Sequence, residues 1–174
     1  MQRTLIKDAV SAAETGSEIT LAGWVRTVRS SKGGFSFLAI NDGSCMASIQ
    51  VVADGKLPNY QAEVVHLTAG CSVLVRGKLV ASQGKGQRVE VQAAEVRVLG
   101  TADAERYPIQ PKKHSFEFLR TQAHLRARTN TFAAVARIRS AAAMAVHEFF
   151  QARGFLWVHT PIITGADCEG AGQM

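Results

Sequence analysis

Residues 19–100 are filled by short segments in which apolar and polar side chains alternate, separated by turn-forming residues. Alternation with a period of two marks strands that bury one face. Strands are predicted over residues 19 to about 29, 35–40, 46–52, 71–80 and 87–99. Lys32-Gly33-Gly34, Asn41-Asp42-Gly43-Ser44 and Ser82-Gln83-Gly84-Lys85-Gly86 supply turns between them. Between the third and fourth strands, Tyr60, Val64 and Leu67 recur at helical spacing with Pro58 near the start, so a helix is predicted over residues 58–67. Five strands with one helix between the third and fourth is the order of the OB-fold, a barrel with an oligonucleotide-binding face. A five-stranded SH3-like barrel shares the strand count but places no helix there.

Both periodicities break over residues 100–113, where Pro108 and Pro111 mark a linker. A long helix is predicted from Asn130 or Thr131, either of which could cap it, to Arg153. Phe132, Val135, Ile138, Ala142, Val146, Phe149 and Phe150 form its apolar stripe. Gly154 sits where a left-handed C-cap is wanted, and residues 155–158 form a strand-like run that Pro161 ends. The fold class expected is α+β: a barrel over residues 1–102, a basic linker or hinge over 103–128, and the first helix and strand of an incomplete second domain over 129–174.

Composition sharpens this picture at one place. The chain has 174 residues, 47% of them hydrophobic, which excludes wholesale disorder. Its formal charge is +6, yet residues 106–139 hold eight Lys or Arg against Glu117 alone, a local +7, so the remainder is near −1. A block of this kind suits a polyanion such as nucleic acid or forms a solvated basic face. Cys45, Cys71 and Cys168 have neither zinc nor disulfide-framework spacing, which fits a reducing cytosol. The N-terminus lacks an apolar core of signal-peptide length, and no apolar run approaches a membrane span. A cytoplasmic protein is expected.

Strand parity assigns the faces of the barrel. Leu38 and Ile40 inside put Phe35, Phe37 and Ala39 outside; Ile49 and Val51 inside put Ser48 and Gln50 outside; Val73, Val75 and Leu79 inside put Arg76 and Lys78 outside. Rings on which bases stack, an amide that reads a base edge and nearby cations are what a single-strand reader requires. Phe35 or Phe37 packed beneath the linker, with Arg26 and Arg29 as rim charges, is the structural alternative.

Gly23-Trp24-Val25-Arg26-Thr27-Val28-Arg29, Phe35-Ser36-Phe37-Leu38 and Ser48-Ile49-Gln50 resemble the anticodon-binding barrel of class II aminoacyl-tRNA synthetases, in the subgroup for aspartate, asparagine and lysine. That resemblance implies that Arg29, Phe37 and Gln50 hold the middle anticodon base, a uridine, with Phe35 a rival for the stacking role. Asp42-Gly43-Ser44-Cys45, Phe118-Leu119-Arg120 and the run from Ala123 through Asn130 are similar to the asparagine branch. The long helix followed by Gly154 and Pro161 resembles the first class II motif, which implies a homodimer interface. Cys168-Glu169-Gly170-Ala171-Gly172 is similar to the loop whose glutamate, here Glu169, contacts the amino acid's ammonium group. His147 and His159 are expected to be structural, and no metal ligands or catalytic residues are expected in this chain. The resemblance implies ATP- and magnesium-dependent charging of tRNA-Asn with asparagine by the whole enzyme. The two other ATP-binding motifs do not follow before Met174, so an inactive front part is expected. The rivals are an aspartate–tRNA ligase of the same subgroup and a free-standing OB-fold nucleic-acid-binding protein with a helical dimerisation tail.

Overall fold

The computed structural model describes residues 3–12, 14–31, 33–84 and 86–163. Five strands, β1 Glu18–Ser30, β2 Phe35–Asn41, β3 Ile49–Asp54, β4 Ser72–Ala81 and β5 Val89–Gly100, close into a barrel in the order β1-β2-β3-β5-β4, with β4 returning to β1. All pairings are antiparallel except β3 with β5, which is parallel. This closed order is that of the OB-fold and removes every free edge.

The expected parity holds. Leu38, Ile40, Ile49, Val51, Val73, Val75 and Leu79 are buried, whereas Phe35, Phe37, Ala39 and Gln50 are half-buried and Arg76 and Lys78 are exposed. Each fully buried Val, Leu or Ile contributes about 1.5–3 kcal/mol, so this interior is the main source of stability. Gly23 lies where a Cβ would come within 2.7 Å of the Asn41 carbonyl oxygen, so the approach of β1 to β2 requires glycine. The third strand begins at Ile49 rather than at residue 46, because the Asn41 side chain donates to the carbonyls of Cys45 and Ala47 and holds the preceding residues in the turn.

The helix expected over residues 58–67 is a correction. The segment is a series of turns ending in a single 3-10 turn, Val64–His66. Its amides bond three, four and five residues back, as in His66 to Glu63, Glu63 to Asn59 and Val65 to Tyr60. Asn59 diverts the backbone, since its side chain donates to the Val96 carbonyl at 2.8 Å and to Glu63. Tyr60, Val64 and Leu67 are nevertheless all buried, and the Tyr60 hydroxyl is 2.9 Å from the buried Ser36 hydroxyl.

A short helix that the pattern did not indicate, α1 (Ile6–Ser11), adds Ile6 and Ala9 to the same core. Asp42 seats it: one carboxylate oxygen accepts from the Ile6 amide at 3.0 Å, the other from the Ser44 amide and hydroxyl. Burial alone would raise the Asp42 pKa. The Ser44 hydroxyl, the Ile6 and Ser44 amides and the Arg3 charge outweigh it and hold the carboxyl below the ordinary value.

The chain divides into two compact units between Ala134 and Val135. The first takes in the barrel, the linker, α2 (Phe116–Thr121) and the first turn of α3 (Asn130–Gln151). Neither proposed residue occupies the flanking position before α3: Thr129 does, its carbonyl accepting from Ala133, while the Asn130 side chain accepts from Arg26. At the other end Gly154 has φ of 82°. The Phe155 amide donates to the Phe150 carbonyl and the Gly154 amide to that of Gln151, a Schellman motif whose accompanying apolar contact is the Phe150–Phe155 ring pair at 5.3 Å.

The strand expected over residues 155–158 is a second correction. Among the described residues no strand pairs with this run, and its side chains are exposed. An extended segment becomes a strand only when another backbone takes its hydrogen bonds. His147 and His159 both lie against the Trp157 ring, with centroids 4.6 and 6.2 Å away.

Candidate nucleic-acid interface

Strand pairing brings three of the expected residues to one place on the barrel's outer face. Arg29 and Phe37 are cross-strand partners on β1 and β2, and Gln50 on β3 is two residues from Val52, the partner of Phe37. The Arg29 guanidinium carbon lies 5.9 Å from the Phe37 ring centroid, at the outer limit of a cation–π contact. Arg29 Nη2 also donates to Gln50 Oε1 at 3.4 Å. Phe35 meets Phe37 edge to face at 5.1 Å. The Arg29 guanidinium lies over Phe37, which links Phe37 to the polar groups, and Phe35 packs edge-on against that ring.

The pattern did not single out Glu90. It is 8% exposed, yet its side chain belongs to this outer cluster. Glu90 Oε2 accepts from Gln50 Nε2 at 3.1 Å, Ser82 Oγ at 2.7 Å and Gln87 Nε2 at 3.2 Å. The signal available was an acid between Val89 and Val91 on a strand with apolar alternation. Recognising it also required the parallel pairing that sets Gln50 against Glu90.

Elsewhere on β1, Trp24 and Arg26 hold Arg128 and the start of α3. Arg26 donates to Asn130 Oδ1 at 3.0 Å. The Arg128 guanidinium lies 4.5 Å above the Trp24 ring and donates to the Tyr107 hydroxyl at 3.2 Å. Arg26 and Arg128 are therefore engaged structurally, while Arg106, Lys112, Lys113 and Arg120 are exposed. The Arg120–Glu117 pair at 3.6 Å is too solvated to contribute much. Glu169 lies outside the described residues. Among the described residues no group of three His, Cys, Asp or Glu side chains could hold a metal ion, and no helix is long and apolar enough to cross a membrane.

A closed five-stranded barrel that gathers rings, an amide and a guanidinium on one outer face has the architecture of the OB-fold class. Residues 19–99 match the family of OB-fold nucleic acid binding domains, and residues 115–174 match the class II tRNA synthetases of the D, K and N group. The chain belongs to that synthetase family. Within it, the chain corresponds to the N-terminal region of asparaginyl-tRNA synthetases. It is 60% identical over its full length to the asparagine–tRNA ligase of Myxococcus xanthus (strain DK1622), covering 38% of that protein. It is 55% identical over 97% of its length to the asparagine–tRNA ligase of Nostoc sp. (strain PCC 7120), covering 36% of it. The asparaginyl-tRNA synthetase of Pyrococcus horikoshii superposes with a TM-score of 0.81 at 26% identity, over 94% of this chain and 38% of that one. The chain thus spans little more than a third of the length of the relatives it matches.

Proposed function

We propose that this chain is the anticodon-binding and dimer-forming front part of an asparagine–tRNA ligase acting in the cytoplasm. The observation that carries the reading is the convergence of Arg29, Phe37 and Gln50 on one outer patch. A nucleotide base would stack on Phe37, the Gln50 amide would meet its edge, and Arg29 would supply positive charge beside it. Phe35 would brace the platform. Asparagine anticodons carry uridine at the centre, which offers a donor and an acceptor to an amide.

In this reading residues 1–102 form the anticodon-binding domain, 103–128 the hinge and 129–174 the start of the catalytic domain. The exposed stripe of α3 and the apolar run from Phe155, set by Gly154 and Pro161, form the homodimer interface. Glu169 holds the ammonium group of asparagine. The whole enzyme would use ATP and magnesium to activate the amino acid. Among the described residues no group of three His, Cys, Asp or Glu side chains could hold that magnesium ion. The 60% identity to an asparagine–tRNA ligase supports asparagine over aspartate.

The chain is expected to bind tRNA-Asn and to make no asparaginyl-adenylate, because phosphoryl chemistry needs several charges positioned together. Asparagine-dependent exchange of pyrophosphate into ATP, run beside tRNA binding, checks both. Binding without exchange is the expected outcome, and robust exchange would overturn the assignment of the active site to another part of the enzyme.

A further inference from the structure

Stacking on Phe37 would fix a base without reading it, since every base has a flat face. Identity must come from a donor and an acceptor fixed in space. The Gln50 carboxamide carries one of each, and half a turn about its last torsion exchanges them. Uracil and cytosine differ by a similar exchange. Uracil presents N3–H as donor beside O4 as acceptor, whereas cytosine presents N3 as acceptor beside an amino donor. A freely turning amide would suit either pyrimidine, and a locked amide suits one.

The two neighbours of Gln50 each permit one orientation. Arg29 can only donate, and it meets Oε1 at 3.4 Å; a carboxylate can only accept, and Glu90 Oε2 meets Nε2 at 3.1 Å. A reversed amide would set Oε1 against a carboxylate oxygen and Nε2 against a guanidinium. Glu90 is itself anchored by Ser82 Oγ at 2.7 Å and Gln87 Nε2 at 3.2 Å, while Gln87 Nε2 also reaches Ser82 Oγ at 2.8 Å. Buried to 8% exposure and bonded inward, this carboxylate is placed to act on Gln50 and not on a ligand.

We propose that Glu90, backed by Ser82 and Gln87, is a positioning residue that fixes the Gln50 amide and thereby makes the Arg29–Phe37–Gln50 face selective for uracil over cytosine. The inference rests on the reading of this face as an RNA-base site. Glu90→Gln separates the two ideas, because a glutamine at this position can donate or accept and so tolerates both amide orientations.

The experiment titrates the chain with anticodon stem-loop RNAs that carry uridine or cytidine at the central position, at one salt concentration. For Glu90→Gln the uridine-over-cytidine ratio is expected to fall by about tenfold, chiefly through tighter binding of the cytidine RNA, the scale expected for one paired base-edge contact. A purely structural role would weaken both RNAs alike and leave the ratio unchanged, which would overturn the proposal. Gln50→Ala serves as the control on the site itself. A wild-type ratio in Gln50→Ala means that this face does not read the base, and both readings fall. A lost ratio in Gln50→Ala with a wild-type ratio in Glu90→Gln overturns the positioning role alone. Should Glu90→Gln fail to melt cooperatively, the Ser82→Ala, Gln87→Ala double variant replaces it. That variant leaves Gln50 and Glu90 in place and is expected to lower the ratio about threefold, and a folded double variant with the wild-type ratio contradicts the proposal.

Discussion

In β2 every second residue is buried, from Ser36 through Leu38 to Ile40, whereas along α3 Val135, Ile138, Val146, Phe149 and Phe150 all remain exposed. Both segments carry a regular apolar pattern. The difference lies in what each has to pack against. Barrel closure gives every strand two hydrogen-bonded neighbours and one shared interior, so the pattern is satisfied within the chain. Among the described residues, none of α3's side chains is buried, and Leu156 after it is 89% exposed. Periodicity thus names the element and its apolar face, while topology decides whether that face is covered.

The largest expected effect tests that division directly. Leu38→Ala, at a fully buried position, should cost about 2–5 kcal/mol in urea unfolding, and Ile138→Ala, 69% exposed, should stay within about 0.5 kcal/mol. Equal losses would break the comparison. Next, the apolar surface of α3 should drive concentration-dependent self-association in analytical ultracentrifugation. Ile138→Glu combined with Phe149→Glu should abolish it while leaving the barrel's unfolding midpoint unchanged. A monomer at all concentrations in the parent chain would contradict the assigned interface.

A smaller effect probes how the barrel holds α1. Asp42→Ala removes acceptors from the Ile6 and Ser44 amides and should cost about 1–3 kcal/mol at neutral pH. The Asp42 pKa is lowered on folding, so its contribution is fully present above the ordinary carboxylate value near 3.9 and is lost as pH falls through the lowered folded value. The gap in melting temperature between parent and variant should therefore hold constant from neutral pH down to that range and shrink below it. A gap that widened on acidification would refute the role given to the carboxylate.

The strands, their faces and the residues of the outer patch were legible because a period of two fixes which side chains share a surface. Gly154 was legible because a helix end needs a left-handed residue. Residues 58–67 were misread because helical spacing reports burial of Tyr60, Val64 and Leu67 without reporting the Asn59 side chain that takes the Val96 carbonyl. The run from Phe155 was misread because local apolar character says nothing of a pairing partner. Glu90 was missed because its role depends on contacts with Gln50 40 positions away in sequence and with the turn carrying Ser82 and Gln87.

The most direct test of the central claim is the affinity of Phe37→Ala and Gln50→Ala for an asparagine anticodon stem-loop at fixed salt. Phe37→Ala should weaken binding by about 1–3 kcal/mol, the contribution of one stacked base, and Gln50→Ala should chiefly reduce discrimination at the central uridine. Unchanged affinity and unchanged discrimination in both variants would contradict the assignment of this face to the anticodon.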